Sequence, residues 1–138
     1  MTTRSAKETI KLAKDFAQKL KGREVIGLIG DLGSGKTTFT KGIAEGLGIK
    51  ELITSPTFVI LKQYDGRIEN RKIEVIHIDA YRAETPDDIK SVGIEDYFGR
   101  DDVVVVVEWA EKVKEILPKS TIYIEFKYRY KDEREISI

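Results

Sequence analysis

The chain contains no cysteine, so neither disulfide bonds nor thiolate metal sites are available to it. It has no apolar run approaching the roughly 18 residues of a membrane-spanning helix, and no apolar segment of the signal-peptide type near its start. Its 24 basic and 24 acidic residues cancel, so no excess charge points to nucleic acid or to an anionic membrane. Together these absences predict a soluble, cytoplasmic protein without a membrane partner.

The most informative segment is residues 30–37, which read GDLGSGKT and match the pattern G-x-x-x-x-G-K-[ST] at every fixed position. In such a loop the glycines let backbone N–H groups converge on phosphate oxygens. Lys36 can place a charge on the β- and γ-phosphates, and the Thr37 hydroxyl can ligate Mg²⁺. The candidate nucleotide-binding residues are Asp31, Leu32, Gly33, Ser34, Gly35, Lys36, Thr37 and Thr38.

Apolar periodicity and turn residues predict the elements around this loop. A capping box at residues 5–8 opens a helix that we expect to stop near Gly22. Residues 65–70 are expected to connect two strands of a hairpin. The other predicted helices are 36–47, 86–91 and 112–117, and the predicted strands are 24–29, 58–64, 72–78, 103–107, 121–128 and 133–138.

Strands that alternate with helices are typical of α/β proteins. With the phosphate loop, this order predicts a three-layer P-loop NTPase fold. Its central sheet is expected to be mainly parallel, with antiparallel hairpin strands added. The 138 residues suffice for one domain with a hydrophobic core, and we expect residues 1–138 to form a single P-loop ATPase domain.

Two acidic residues follow predicted strands and are candidates for the metal site. Asp79 ends one strand, and Glu108 ends the apolar run 103–107. Open α/β sheets bind ligands at the carboxyl ends of their strands, so both side chains are expected near the phosphate loop. One acid would hold Mg²⁺, while the other would orient or activate water. The residues alone do not decide which acid dominates metal binding.

Other side chains near these motifs have both a structural and a functional interpretation. His77, the sole histidine, shares a strand face with Asp79, and a structural role is the default for it. Arg82 can reach a phosphate or pair with an acid, and Trp109 can stack on a base or fill the core. Thr54 begins the turn 54–57, which is either a γ-phosphate switch or an ordinary proline-containing turn.

Missing motifs narrow the class of nucleotide protein. No D-x-x-G follows the candidate metal acids and no N-K-x-D occurs, so the guanine-specific signals are absent. The L-S-G-G-Q-like signature of transporter ATPases is absent as well. No arginine-rich lid resembling that of small-molecule kinases is evident. ATP is therefore the expected nucleotide and water the expected acceptor.

Taken together, these motifs resemble the TsaE (YjeE) family, a small ATPase of bacterial tRNA threonylcarbamoyladenosine synthesis. The resemblance extends from about residue 30 to residue 118. It departs from the common family pattern at Ala80, Ala110 and Ser120, none of which is a phosphate- or metal-binding position. The motifs that carry it are the phosphate loop, T-S-P-T-F at 54–58, H-I-D-A-Y-R at 77–82, G-I-E-D-Y-F at 93–98, E-W at 108–109 and I-L-P at 116–118.

The resemblance implies an Mg²⁺-dependent ATPase that is weak alone and stimulated by a partner. The partner would be a carbamoyltransferase heterodimer of the TsaD and TsaB families, with tRNA met only through that complex. Lys36, Thr54 and Glu108 would be catalytic, with Thr54 as the switch near the γ-phosphate. Thr37, Asp79 and Glu108 would serve the metal site, and Trp109 would lie near the nucleotide or at the partner surface.

Two other functions remain compatible with the motifs themselves. A small-molecule kinase would also bind ATP, but it needs an acceptor pocket and usually a lid, for which 138 residues leave little room. A nucleotide-gated adaptor would bind ATP without hydrolysing it, and Glu108 would then be structural.

Overall fold

The computed structural model describes residues 1–51, 53 and 61–138. These residues form a mixed α/β fold, in which a seven-stranded sheet is covered by three α-helices and short 3-10 helices. The strands are β1 (Thr2–Thr3), β2 (Val25–Gly30), β3 (Leu61–Ile68), β4 (Arg71–Asp79), β5 (Val103–Glu108), β6 (Ile122–Tyr128) and β7 (Arg134–Ser137), and the α-helices are α1 (Ala6–Ala17), α2 (Lys36–Gly46) and α3 (Pro86–Lys90).

The strand order is β1-β7-β6-β2-β5-β4-β3. The four central strands β6, β2, β5 and β4 are parallel, whereas the outer pairings β1–β7, β7–β6 and β4–β3 are antiparallel. The described sheet is therefore mixed, and the expectation of a mainly parallel sheet is corrected. The parallel part is the part that carries the candidate site.

The β3–β4 hairpin is tighter than the sequence suggested. Strand β3 continues through residues 65–68, which we expected in the connection, and pairs Ile68 with Arg71. Only Glu69 and Asn70 remain as the turn, with Glu69 in the left-handed region at φ +55°. The predicted six-residue connection is wrong because charged residues on an edge strand look like a loop in sequence.

The sheet has a hydrophobic core on each face, so the architecture has three layers. In β5, Val104 and Val106 pack towards α1 and α2, while Val103, Val105 and Val107 pack towards α3 and the 3-10 helices. Burial on both faces explains why this strand is an unbroken apolar run.

Helix α1 begins as its capping residues predict and ends earlier than expected. The Ser5 hydroxyl accepts a hydrogen bond from the Glu8 N–H at 3.1 Å. The helix ends at Ala17, after which the chain tightens and the Leu20 N–H bonds to the Ala17 carbonyl. Leu20 is buried although it lies beyond the helix, so its place in the apolar pattern made the predicted helix too long. Gly22 lies between the end of α1 and the start of β2, not at the helix end.

The segment predicted as helix 112–117 is instead two short 3-10 helices, Ala110–Lys112 and Lys114–Ile116. Several other expectations are confirmed within the described residues. Helix α3 begins with a capping box at Thr85 and Asp88, and β6 and β7 form the closing hairpin. No helix among the described residues is long and apolar enough to cross a membrane.

Helix α2 approaches α1 at two glycines. A Cβ atom added at Gly42 would lie 2.5 Å from the Ala13 Cβ and 2.6 Å from the Ile10 carbonyl oxygen. A Cβ at Gly46 would lie 2.6 Å from the Ala17 Cβ. These glycines set the distance between the helices and thereby the position at which α2 leaves the loop that follows β2.

We expect Gly42→Ala to lower the free energy of unfolding by about 1–3 kcal/mol, because overpacking outweighs the ~1 kcal/mol that alanine adds to helix propensity. Urea unfolding measures this change. The control is Lys41→Ala on the exposed side of the same helix, which should change stability little. A stabilised Gly42→Ala protein would show that the two helices can separate at no cost.

Candidate functional site

The candidate site lies where three parallel strands end. Strand β5 is flanked by β2 and β4, with Glu108 beside Leu28 on one side and Asp79 on the other. Strand β2 continues to Gly30, where the loop begins. The sequence expectation that Asp79 and Glu108 lie near this loop therefore agrees with the register of the sheet.

The loop between β2 and α2 depends on glycine. Gly33 and Gly35 have φ values of +77° and +107°, in the left-handed region that side chains disfavour. At Gly30, with φ +157°, an added Cβ would lie 2.7 Å from both the Phe126 carbonyl oxygen and the Ser34 Oγ. Gly35 is the N-cap of α2 and makes no side-chain cap hydrogen bond, and the N-terminus of a helix is a position that favours an anion.

Lys36 is buried beneath this loop, with 5% of its surface exposed. Its Nζ donates to the carbonyl oxygen of Gly30, to that of Asp31 at 2.8 Å and to the Ser34 Oγ at 3.4 Å. Burial lowers the pKa of the Lys36 amine, and the carboxylates of Glu111 and Glu108 oppose that shift. The amine thus lies at the centre of the loop and bonds to the loop's own backbone.

Glu108 connects the loop to the sheet. Its Oε1 accepts a hydrogen bond from the Thr37 hydroxyl at 2.8 Å, and its Oε2 lies 2.5 Å from the His77 Nε2. Glu108 and His77 are 2% and 1% exposed. A buried carboxylate requires such partners, so the first turn of α2, the end of β5 and the last residues of β4 are held together through this one side chain.

Asp79 lies beside Glu108 and is half-buried. Its Oδ1 accepts a hydrogen bond from the Tyr81 N–H at 2.9 Å. Burial raises the pKa of Asp79, and the charge of Glu108 acts in the same direction, whereas the Tyr81 N–H opposes them. The site therefore holds two adjacent acids, one of which bears a charge that its surroundings disfavour.

Aromatic side chains cover the loop on one side. The Trp109 ring centroid is 4.0 Å from the Lys36 Nζ. It is 5.0 Å from the ring centroid of Tyr81. Trp109 has φ +61°, an unusual conformation for a residue with a side chain. The Lys112 Nζ donates to the Tyr81 carbonyl and lies 5.7 Å from the Trp109 ring centroid. Trp109 thus lies beside the glycine-rich loop, with part of its surface packed against the core on the α3 side of the sheet.

A cavity of about 410 Å³ opens at this end of the sheet, within the range typical of small-molecule sites. Its lining includes the sequence-predicted residues Leu32, Gly33, Gly35, Lys36, Thr37, Thr38, Asp79, Glu108 and Trp109.

The remaining predicted residues lie elsewhere. Asp31 and Ser34 do not line the cavity but accept hydrogen bonds from the Nζ of Lys36, which does. His77 lies beneath Glu108. Thr54, with the rest of the proposed switch turn 54–57, is outside the described residues.

The cavity also has walls that sequence reasoning missed. They come from the start of α1 and from the β6–β7 hairpin, two segments far from the loop in sequence. The capping box had marked the first of them only as a helix start, and the second was predicted only as the strands 121–128 and 133–138. The missed lining residues are Ser5, Ala6, Thr9, Asp132 and Arg134.

Glu111 is a further missed residue. Its Oε2 accepts a hydrogen bond from the Gly30 N–H at 3.3 Å, and its charge acts on Lys36. It follows Trp109 by two residues, in a segment for which we had expected no function. Glu111 therefore fixes the start of the loop from outside the sheet.

The donor set of the site fits Mg²⁺. The Thr37 hydroxyl and the carboxylates of Asp79 and Glu108 border one cavity, and hard oxygen ligands of this kind suit Mg²⁺, which is commonly bound by one or two carboxylates together with phosphates. Positive φ glycines, a helix N-terminus and a buried lysine also suit a phosphate group.

Fold and site thus define a mixed α/β protein with a glycine-rich loop and paired acids at the carboxyl edge of its parallel strands. The family model of TsaE, described as "Threonylcarbamoyl adenosine biosynthesis protein TsaE", matches residues 3–136. The chain belongs to the TsaE family.

Individual relatives agree with this assignment. The tRNA threonylcarbamoyladenosine biosynthesis protein TsaE of Bacillus subtilis is 43% identical over 98% of this chain and 81% of its own length. The protein of that name from Aquifex aeolicus is 41% identical over 80% of this chain and 75% of its length. The crystal structure of Bacillus subtilis YdiB superposes with a TM-score of 0.80 at 39% identity, covering 99% of this chain and 80% of that one.

We expect Asp79→Asn to raise the melting midpoint of the protein at neutral pH when a chelator removes divalent metal. A carboxyl with a raised folded-state pKa costs stability once pH exceeds its unfolded-state value. The gain should therefore shrink as pH falls through the ordinary range of aspartate, about 3.9. Thermal melts between pH 3.5 and pH 8 measure it, and a gain independent of pH would show that the carboxylate charge is not its cause.

Proposed function

We propose that this protein is an Mg²⁺-dependent ATPase that supports tRNA threonylcarbamoyladenosine synthesis. Its ATP turnover would serve a carbamoyltransferase heterodimer of the TsaD and TsaB families. Family membership supports the pathway. The ATPase activity and the partner are inferred from the site and from the sequence motifs around it.

One observation carries the proposal, namely the hydrogen bond between the Thr37 hydroxyl and Glu108. Thr37 is the second residue of the helix that follows the glycine-rich loop, and Glu108 ends a strand that neighbours β2. Under this proposal, the bond would keep the Glu108 carboxylate next to the phosphates that the loop binds. A general base for hydrolysis would be required at this position.

ATP binding would require Lys36 to exchange partners. Its Nζ now donates to the Gly30 and Asp31 carbonyls, and phosphate oxygens would replace them with stronger, charge-assisted bonds. The N–H groups at the start of α2 would complete the phosphate site. The cavity continues towards Thr9 and Arg134, and this extension would hold the nucleoside.

Thr37, Asp79 and Glu108 would hold Mg²⁺, which supplies neutralisation of the developing phosphate charge when it is bound. Glu108 would also orient or activate the attacking water as a general base. Its carboxylate is already fixed by two hydrogen bonds, so little reorganisation would precede proton transfer. Asp79 would act chiefly as a metal ligand because it lies at the cavity edge.

The partner would act on the parts of the site that face solvent. Leu32 at the loop is 77% exposed and Tyr81 is 46% exposed, so apolar surface borders the cavity mouth. A partner that covered this surface would exclude water from the phosphates and strengthen the charge interactions there. The role of Thr54 as a γ-phosphate switch stays a prediction.

Lys36→Ala should weaken ATP binding by about 10- to 100-fold, since charge-assisted hydrogen bonds contribute about 1.5–3 kcal/mol. A calorimetric titration with ATP in the presence of Mg²⁺ measures the Kd. Lys41→Ala removes an exposed charge from the same helix and should leave the Kd unchanged. Equal ATP affinity of wild type and Lys36→Ala would exclude this loop as the phosphate site.

Glu108→Ala should retain ATP binding and lose hydrolysis by about 10²- to 10⁴-fold, the usual contribution of a general base. The assay contains the carbamoyltransferase heterodimer and tRNA, and follows phosphate release together with modified adenosine. Unchanged stimulated turnover in this variant would contradict the role of Glu108. Phosphate transfer to a nucleoside or sugar without net hydrolysis would favour a kinase, and full tRNA modification without hydrolysis would favour an adaptor.

A further inference from the structure

His77 is a buried polar residue for which the proposed reaction has so far given no role. Its side chain is 1% exposed and lies on β4, an outer one of the four parallel strands, two residues before Asp79. His77 is paired with Val106, and Asp79 is paired with Glu108. His77 and Glu108 are therefore diagonal neighbours on one face of the sheet, the face on which Val106 packs towards α1 and α2.

The two carboxylate oxygens of Glu108 have different partners. Oε2 lies 2.5 Å from the His77 Nε2, and Oε1 accepts from the Thr37 hydroxyl at 2.8 Å. With Oε2 held against the sheet, the carboxylate plane cannot rotate freely about its last torsion. Oε1 is then the oxygen that remains directed at the loop and the cavity.

We propose that His77 is a positioning residue for ATP hydrolysis, which acts by holding Glu108 Oε2 so that Oε1 faces the phosphate site. The inference rests on the proposed function, because it assumes that Glu108 acts in hydrolysis. It assigns a role to the sole histidine of the chain, for which the sequence favoured a structural interpretation.

The second ring nitrogen supports this assignment. Nδ1 is buried and has no hydrogen-bond partner among the described residues. A proton on Nδ1 would leave a buried N–H without an acceptor there, so the arrangement favours the tautomer with its proton on Nε2. The ring then donates one hydrogen bond, and Glu108 receives it. An apolar residue would pack between the strands without leaving an unpaired nitrogen, so packing alone does not account for histidine.

Residues that support a ligand from behind commonly change activity by about 10- to 100-fold when they are replaced. We therefore expect His77→Phe, which keeps a ring but has no donor, to lower kcat by about that factor at saturating Mg²⁺. The Kd for ATP should stay near that of wild type, because Lys36 and the loop amides are untouched. A reduced affinity with unchanged kcat would overturn the inference.

Two amide variants distinguish the loss of the hydrogen bond to Glu108 from a general loss of stability. Gln places its side-chain N–H₂ near the position of Nε2, whereas the shorter Asn does not reach Glu108. We expect His77→Gln to recover part of the kcat that His77→Asn loses, with similar melting midpoints. Equal kcat values for these two variants would contradict the positioning role, and this comparison remains informative if His77→Phe fails to fold.

A double-mutant cycle with Glu108→Ala tests whether His77 acts through Glu108. In the Glu108→Ala background, His77→Asn should reduce the residual rate no further. Independent, multiplicative losses would show that His77 affects the site in another way. If Glu108→Ala itself hydrolyses ATP as wild type does, the proposed function fails; if only the His77 variants match wild type, that function stands and this inference fails.

Discussion

The structure depends on a negative charge buried at the end of a valine strand. Moving a carboxylate out of water costs several kcal/mol unless hydrogen bonds compensate for it. Glu108 receives one such bond from Thr37 and one from His77. The N-terminus of α2 carries a partial positive charge that adds to them. The acid therefore fixes the position of the helix, and the helix in turn makes burial of the acid possible.

Lys36 carries a buried positive charge, which also requires hydrogen-bond partners. In the free protein it is satisfied by the Gly30 and Asp31 carbonyls and by the Trp109 ring. These partners are weaker than phosphate, so the loop is preorganised without being locked. Under the proposed function, exchange of these carbonyls for phosphate oxygens would be favourable, and this gain would contribute to affinity.

The sequence predicted the parts of the site that depend on local pattern. The loop pattern located Lys36 and Thr37, and the placement of Asp79 and Glu108 at one edge followed from the ends of parallel strands. The pairing of Thr37 with Glu108 could not be predicted, because it depends on which strands are neighbours and in what register. The wall formed by Arg134 was missed for the same reason: its hairpin reaches the loop only through β6.

The strand order explains why one edge can hold every required group. Strand β2 lies between β5 and β6, so its loop leaves the sheet with Glu108 on one side and the β6–β7 hairpin on the other. Asp79 stands one strand further out, beyond Glu108. The paired acids therefore lie on one side of the loop, and Arg134 lies on the opposite side. Under the proposed function, this asymmetry would give a nucleotide one direction, with its phosphates towards the paired acids and its nucleoside towards the hairpin and the start of α1.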